Sequence, residues 1–293
     1  MKRITVIGVG RMGGALAIAL ARAGFIIEQL VYRSQDSFER ISAVFAEKQV
    51  ETKFFEGLKL RETDIFLIAT SDPEIPNIAA WLSKTLGNPA IVIHTSGSLS
   101  SDVLFPLADI GCQTGSMHPL ISVSDSIAGS SSFSGAYFCT EGDPAAVLAA
   151  NEIISALSAK PLSIPTENKV LYHAAAVIAC GHLSALIEIA SDVMKLAGIS
   201  DKDRPWILMP LIESTIANIK ANGTAAALTG SFARADAETV SGHMAALGRS
   251  VSRETIDLYR ILGNKSLDLA AERGVDADRI EAVRKVLLTG KCF

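Results

Sequence analysis

The chain has 293 residues, of which 49% are hydrophobic and 20% charged, with a formal net charge of −4. That length is comfortable for two domains, and the composition excludes a disordered chain. With no basic run in the sequence, nucleic acid and anionic membrane surfaces are not expected partners.

The N-terminal run "MKRITVIGVGRMGGALAIALARAG" has the basic start and apolar body of a leader. Arg11 and the clustered glycines interrupt the apolar part, so it reads as the beginning of a fold instead. "RITVIG" predicts a strand, followed by a helix over 11–24. "FIIEQLVY" predicts a second strand and 36–48 a second helix. "DIFLIAT" is a buried strand, with a helix over 73–86 in whose first turn Pro73 fits. "AIVIHTS", "CQTGSMHP", "GAYFCT" and "KPLSIP" continue the sheet, with a helix over 143–158 and a serine-rich surface loop over 122–134. Strands alternating with helices predict a parallel, doubly wound sheet.

After Pro165 only helical periodicity remains, over 167–196, 203–221, 236–247, 252–273 and 276–288. Asn222-Gly223, Gly230 and Gly274 punctuate these helices. The expected organisation is therefore a Rossmann-type α/β domain over 1–165 and an all-α domain over 166–293. No stretch of about 18 residues is apolar and free of charge, so no membrane span is predicted. The four cysteines, Cys112, Cys139, Cys180 and Cys292, form no CxxC pair. Reduced thiols and a cytoplasmic location are expected from that usage.

Gly8, Gly10 and Gly13 form GxGxxG between the first strand and the first helix, the context that a dinucleotide site requires. Gly8 permits the tight turn, Gly10 lets the backbone approach a pyrophosphate, and Gly13 lets helix pack on strand. Arg11 and Met12, inside the motif, are counted with the cofactor residues. An NAD site usually places Asp or Glu at the end of the second strand. Here that end reads Val31-Tyr32-Arg33-Ser34, and Glu28 falls too early. A guanidinium and a hydroxyl suit a 2′-phosphate, so NADP (NADPH) is the expected cofactor. Ala69, Thr70 and Ser71, after the next buried strand, and Thr95, one strand further on, are expected to border it.

Two histidine loops follow strands on the same edge, "HTSGSLSSD" and "GSMHPLISVSD". Ser96, Gly97 and His118 are the expected substrate-lining residues there. A metal site among His94, His118 and His173 is not expected, because no i+4 histidine pair or adjacent carboxylate supports it. On the long helix after Pro165, Lys169, His173 and Cys180 share one face. That stripe is either a solvated helix side or the wall of a pocket in which a proton moves.

The runs "HTSGSL…GSMHPLISVSD", "K…YHAAAV" and "ALTGSFARADAETVSGHMAAL" resemble a family of bacterial Rossmann-type oxidoreductases whose helical C-terminal domain was long catalogued as of unknown function. Some members look like an alternative class of ketopantoate reductase. More distantly, the architecture resembles the 6-phosphogluconate and β-hydroxyacid dehydrogenases and pyrroline-5-carboxylate reductase. The resemblance implies that Lys169 takes the place of a catalytic lysine, with His173 where an asparagine stands in the hydroxyacid dehydrogenases. Arg234 and Asp236 keep the family pattern, and Arg234 is the implied carboxylate ligand; its alternative is an ion pair with a helix-capping Asp236. Gly181, Ser231 and Ala235 depart from the pattern, standing where Asn, Pro and Gly are usual.

The expectation is an NADP-dependent reductase of a small carbonyl compound, most simply a 2-keto acid of the ketopantoate type, with Lys169 as proton donor. The helical domain is expected to complete the site and to form a homodimer. An imine reductase of the pyrroline-carboxylate type, in which Lys169 would be dispensable, and a non-catalytic NADP-binding sensor or scaffold remain open alternatives.

Overall fold

The computed structural model describes residues 2–33, 35–46, 51–54 and 59–289. By packing, the chain divides into two compact units, residues 1–181 and 182–293.

The first unit is built on eight strands: β1 (Arg3–Ile7), β2 (Ile26–Tyr32), β3 (Glu51–Phe54), β4 (Ile65–Ile68), β5 (Ile91–His94), β6 (Gln113–Pro119), β7 (Tyr137–Gly142) and β8 (Lys160–Ser163). They lie in the order β3-β2-β1-β4-β5-β6-β7-β8. The pairs from β3 to β6 are parallel. The pair β6–β7 is antiparallel, whereas β7–β8 is parallel. The all-parallel sheet expected from the alternation of elements is thus corrected at its last two strands. Strand periodicity alone carries no direction, and "GAYFCT" follows β6 by a connection whose only helix is a single turn.

Successive side chains of a strand face opposite sides, and the sequence uses both. Ile65 and Leu67 of β4 join Ile4 and Val6 in a core with the helices α1 (Arg11–Arg22), α2 (Gln35–Phe45) and, further along the chain, Pro144–Ala156. Phe66 and Ile68 face the other way, into a core with α3 (Ile75–Thr85) and the short α4 (Phe105–Ala108). This is the doubly wound arrangement, with helices covering both faces. The stretch 122–134, expected as a surface loop, is corrected in part. It contains α5 (Ser126–Gly129), with Ser126 only 4% and Phe133 2% exposed. Ser126 Oγ donates to the carbonyls of Gly10 and Arg11, bracing the glycine turn from behind. The helix α6 (Pro144–Ala156) and α7 (Lys169–Ala179) complete the unit.

The break between units falls at Gly181 rather than at 165. The physical reason is that α7 is anchored to the sheet through Lys169 and Tyr172. The predicted long helix is also interrupted, at Cys180 (φ −116, ψ −70), so α8 (Gly181–Leu196) begins a separate element. By length and composition the run Thr166–Leu196 is long and apolar enough to cross a membrane, with a mean hydropathy of 1.7 in its most apolar stretch.

The second unit is all-helical: α9 (Arg204–Ile207), α10 (Met209–Ala227), α11 (Gly230–Ala233), α12 (Ala237–Ser250), α13 (Arg253–Glu272) and α14 (Ala277–Thr289) follow α8. Gly223 (φ 81) kinks α10 as the Asn-Gly dipeptide predicted, and Gly274 (φ 79) ends the turn after α13. Val240, Met244, Leu267 and Val283 form the centre of its core.

Candidate functional site

The glycine turn is shaped by what a side chain would strike. Gly8 has φ +96, and a Cβ there would lie 2.7 Å from the Ala69 carbonyl oxygen. A Cβ at Gly13 would collide with the Gly8 carbonyl and come within 2.9 Å of the Ala69 Cβ. These two glycines are required by the protein's own packing. Gly10 differs: nothing lies within 4 Å of its would-be Cβ, and its φ of −73 suits any residue. Its lack of a side chain keeps open space at the N-terminus of α1, where unpaired N–H groups and the helix dipole favour an anion.

That space belongs to a cleft of about 380 Å³ lined by Gly8, Gly10, Arg33, Ala69, Thr70 and Ser71, among others. The Thr70 hydroxyl is buried without a hydrogen-bond partner. An orphaned donor beside open helix N–H groups fits an oxygen-rich ligand such as a dinucleotide. Arg33, at the end of β2, is 75% exposed and bonds Glu74 at 3.2 Å. Glu74 also lines the cleft and was not singled out from sequence. Arg11 and Met12 do not line it: Arg11 is exposed at the start of α1, and Met12 packs against the core. Ser34 lies outside the described residues. Thr95 continues β5 beside β4, its N–H donating to the Ile68 carbonyl at 3.0 Å.

Beyond Thr95 the β5 loop is tied down by its own serines. Ser96 is buried, and its hydroxyl accepts from the N–H groups of Ser98 and Leu99. Ser98 donates to Asp72 at 2.5 Å, linking this loop to the one after β4. Ser96 therefore builds the turn rather than lining open space. His94 is fully buried; its Nδ1 accepts from the Ser96 N–H at 3.2 Å while Nε2 lies 3.1 Å from the Ser100 carbonyl. Those bonds fix a neutral ring with its proton on Nε2. Burial, helped by the Lys169 charge, pushes its pKa down to about 4.

Gly97 is where the loop meets two other histidines. A Cβ there would lie 2.5 Å from His173 Cδ2 and 2.7 Å from His118 Nε2. His118 and His173 stand edge to face, with centroids 6.0 Å apart. His118 Nδ1 is 2.9 Å from the Tyr172 hydroxyl. Burial and the Lys169 charge lower His118 to about 4 as well. Gly97, His118 and His173 thus come together as expected, from three elements.

Lys169 is placed otherwise. Only 1% of its side chain is exposed, so it belongs to no solvated stripe. Its ammonium donates to Ser116 Oγ and, at 3.3 Å, to Glu141 on β7, which is itself buried. Glu141 also accepts from the Ser101 N–H and hydroxyl and from Thr166. Burial lowers the Lys169 pKa and the Glu141 charge opposes that shift. A buried pair of this kind holds only because its remaining hydrogen-bonding groups are satisfied too. Glu141, Ser116 and Tyr172 were missed by sequence reasoning. The one available signal was a lone carboxylate closing the apolar strand "AYFCTEG". Arg234 and Asp236 lie in the second unit. Arg234 is exposed, and Asp236 caps α12 by accepting from the N–H and hydroxyl of Thr239 at 3.0 and 2.8 Å. Among the described residues, no group of three His, Cys, Asp or Glu side chains is placed to hold a metal ion.

The strand order and the glycine turn define a Rossmann-type α/β unit, here followed by a helical unit. Residues 2–119 match the family model of the Rossmann-like domain, and residues 136–266 match a domain of unknown function, DUF2520. The two matches fall on successive parts of the chain. No curated protein matches it. Among solved structures it is similar to a Bacteroides fragilis protein described as a candidate NADP oxidoreductase. The identity is 21%, the match covers 91% of this chain and 98% of that one, and the TM-score is 0.71. Protein TM1727 from Thermotoga maritima is similar at 22% identity, covering 92% and 99%, with a TM-score of 0.70. Pyrroline-5-carboxylate reductase from Coxiella burnetii is similar at 15% identity, covering 93% and 97%, with a TM-score of 0.60. At these identities the likeness establishes the fold.

Proposed function

We propose that this chain is an NADP-dependent oxidoreductase that reduces a small carbonyl compound, a 2-keto acid of the ketopantoate type foremost. The observation that carries the reading is the sequence of features along one sheet edge. Arg33 and the Gly8–Gly10 turn come at β2 and β1, Thr70 and Ser71 at β4, and Gly97 and His118 at β5 and β6, with His173 of α7 against them. Ligands of such sheets bind outside the carboxyl ends of the strands.

In this reading a reduced nicotinamide dinucleotide bound in the cleft would supply a hydride. Gly10 leaves room for its pyrophosphate at the N–H groups opening α1. The Thr70 hydroxyl gains the partner it lacks. Arg33 takes the 2′-phosphate, exchanging it for Glu74. His118 and His173 offer ring N–H groups to the substrate oxygen as negative charge develops there. Lys169, paired with Glu141 and Ser116, is only 1% exposed and so has little surface with which to touch a substrate. The direct proton donation expected from sequence gives way to an electrostatic part: its positive charge, felt at His94 and His118, favours the same developing charge.

The burial of Lys169 also favours a second reading, an imine reductase, since a protonated C=N group needs no acid at oxygen. Similar folds carry that chemistry, among them an Aspergillus terreus reductive aminase solved with NADPH, at 13% identity and a TM-score of 0.54. For assembly we propose a homodimer without membrane insertion. Val170, Leu171 and Ile178 of α7 and Trp206, Leu211 and Ile216 of the second unit are exposed apolar side chains, and a second copy would cover them. The buried free thiols of Cys112 and Cys139 suit the reducing cytoplasm.

The test is NADPH oxidation followed by nicotinamide absorbance, with 2-keto acids, ketopantoate included, against cyclic imines. Turnover of a keto acid is expected. Turnover of imines alone would establish the second reading, and NADPH binding without any turnover would make the chain a silent binder.

A further inference from the structure

Tyr172 has no part in the reading above, yet its hydroxyl is hydrogen-bonded to the His118 ring. Its oxygen lies 2.9 Å from His118 Nδ1, and its ring stands edge-on to that histidine. Among the described residues no protein group bonds His118 Nε2, the nitrogen that faces Gly97.

We propose that Tyr172 is a positioning residue that holds His118 in the tautomer protonated on Nε2, so that the site at Gly97 presents a neutral N–H donor to a substrate oxygen. This rests on the reductase reading for its use, though not for its geometry. The phenol has one proton, and among the described residues His118 Nδ1 is the protein atom that hydrogen-bonds its oxygen. An imidazole nitrogen lone pair is a strong acceptor, and a ring N–H donated to the phenol oxygen would leave the phenol proton without a protein acceptor. The proton therefore goes to Nδ1, and the neutral ring must carry its own hydrogen on Nε2.

The surroundings keep both groups in this state. Burial raises the Tyr172 pKa, so the phenol does not ionise near neutrality. The groups that act on His118 are Lys169, His173 and His94, which oppose its protonation, and Asp72, which favours it; with burial they leave it near 4. A ring that stays neutral from pH 5.5 to 8 keeps one tautomer and one donor direction. A neutral imidazole donor in a buried site polarises a carbonyl without itself needing to be an acid. Gly97 is the matching concession, since any side chain there would occupy the space in front of Nε2.

The opposite polarity has His118 Nδ1–H donating to the Tyr172 oxygen. Nε2 would then be an acceptor and the site would repel an oxygen. The two cases are separated by ¹H–¹⁵N correlation spectra of the full chain labelled at histidine, with His118→Gln assigning the ring. The wild type should show His118 neutral and protonated on Nε2 from pH 5.5 to 8. Tyr172→Phe should give a mixture of tautomers, and lower kcat about five- to tenfold, the loss of one neutral hydrogen bond, with the KM for cofactor unchanged. A wild-type ring protonated on Nδ1, or a Tyr172→Phe ring unchanged from wild type, would overturn the proposal. If Tyr172→Phe does not fold, the wild-type spectrum alone decides. Failure of every carbonyl and imine substrate would remove the reductase reading while leaving the tautomer result intact.

Discussion

The glycine cleft and the histidine cluster sit on the same sheet edge and are built in opposite ways. The cleft is made of backbone and absence: two glycines without which the turn cannot close, one glycine that leaves space, and one hydroxyl without a partner. The cluster is made of side chains packed on one another, down to a buried lysine with a buried glutamate. The first leaves the Thr70 hydroxyl without a partner. The second leaves His118 Nε2 facing Gly97, and its chemistry is set by which protons its hydrogen bonds fix.

That difference is sharpest at Lys169. Removing one partner of a buried ion pair strands the other charge, so Lys169→Ala should cost about 3–5 kcal/mol of stability. Denaturant unfolding should detect this, and replacing Glu141 by Leu together with Lys169 by Met should recover most of it. A Lys169→Ala protein as stable as wild type would return the side chain to solvent and dissolve the comparison.

The cleft separates packing from binding at two glycines. Gly13→Ala forces a methyl against the Gly8 carbonyl and should destabilise by about 3 kcal/mol. Gly10→Val adds a Cβ with no protein atom within 4 Å, so the melting temperature should hold while dinucleotide affinity collapses. Equal stability losses in both variants would mean that Gly10 also serves the fold.

The cluster carries a pH signature that the cleft lacks. Unfolded, His94 takes up its proton near 6.5; folded, it does so only near 4. Between those values the unfolded chain holds more protons, so stability falls as pH drops through that window and is fully present above it. For a shift of this size the loss is about 3 kcal/mol from His94, with His118 acting in the same direction. His94→Gln should flatten the slope of unfolding free energy between pH 6.5 and 4, and an unchanged slope would contradict the burial argument.

The smallest effect is at the rim. Glu74→Gln releases Arg33 from an exposed pair worth no more than about 1 kcal/mol. NADPH affinity should rise by up to about fivefold, measured by fluorescence titration, with NADH little changed.

The same contrast explains what could be read from the sequence. The glycine turn, Ala69 to Ser71, and Arg33 were legible because a strand, a turn and a helix start adjacent in sequence are adjacent in space. The helix punctuation at Gly223 and Gly274 was legible for the same reason. The partners of Lys169 and His118 were not, because they come from elements 28 to 54 residues away. Nothing local distinguishes Glu141 from an edge carboxylate or Tyr172 from a helix-surface phenol. The surroundings of Lys169 were hidden on that account: the helical period put it on a face with His173, and the partners that bury it, Ser116 and Glu141, come from distant strands. The break at Cys180 and the reversed strand β7 were hidden too, one lacking a proline, the other because side-chain alternation is the same in either direction.

The most direct measurement is a titration of NADPH and NADH against the wild type and Arg33→Asp. If the cleft at Gly10 holds an NADP cofactor with its 2′-phosphate on Arg33, the wild type binds NADPH more tightly. The substitution should then weaken NADPH by about ten- to a hundredfold, the worth of charge-assisted phosphate bonds, while NADH barely moves. A wild type that prefers NADH, or a ratio that Arg33→Asp leaves unchanged, would contradict the account at its centre.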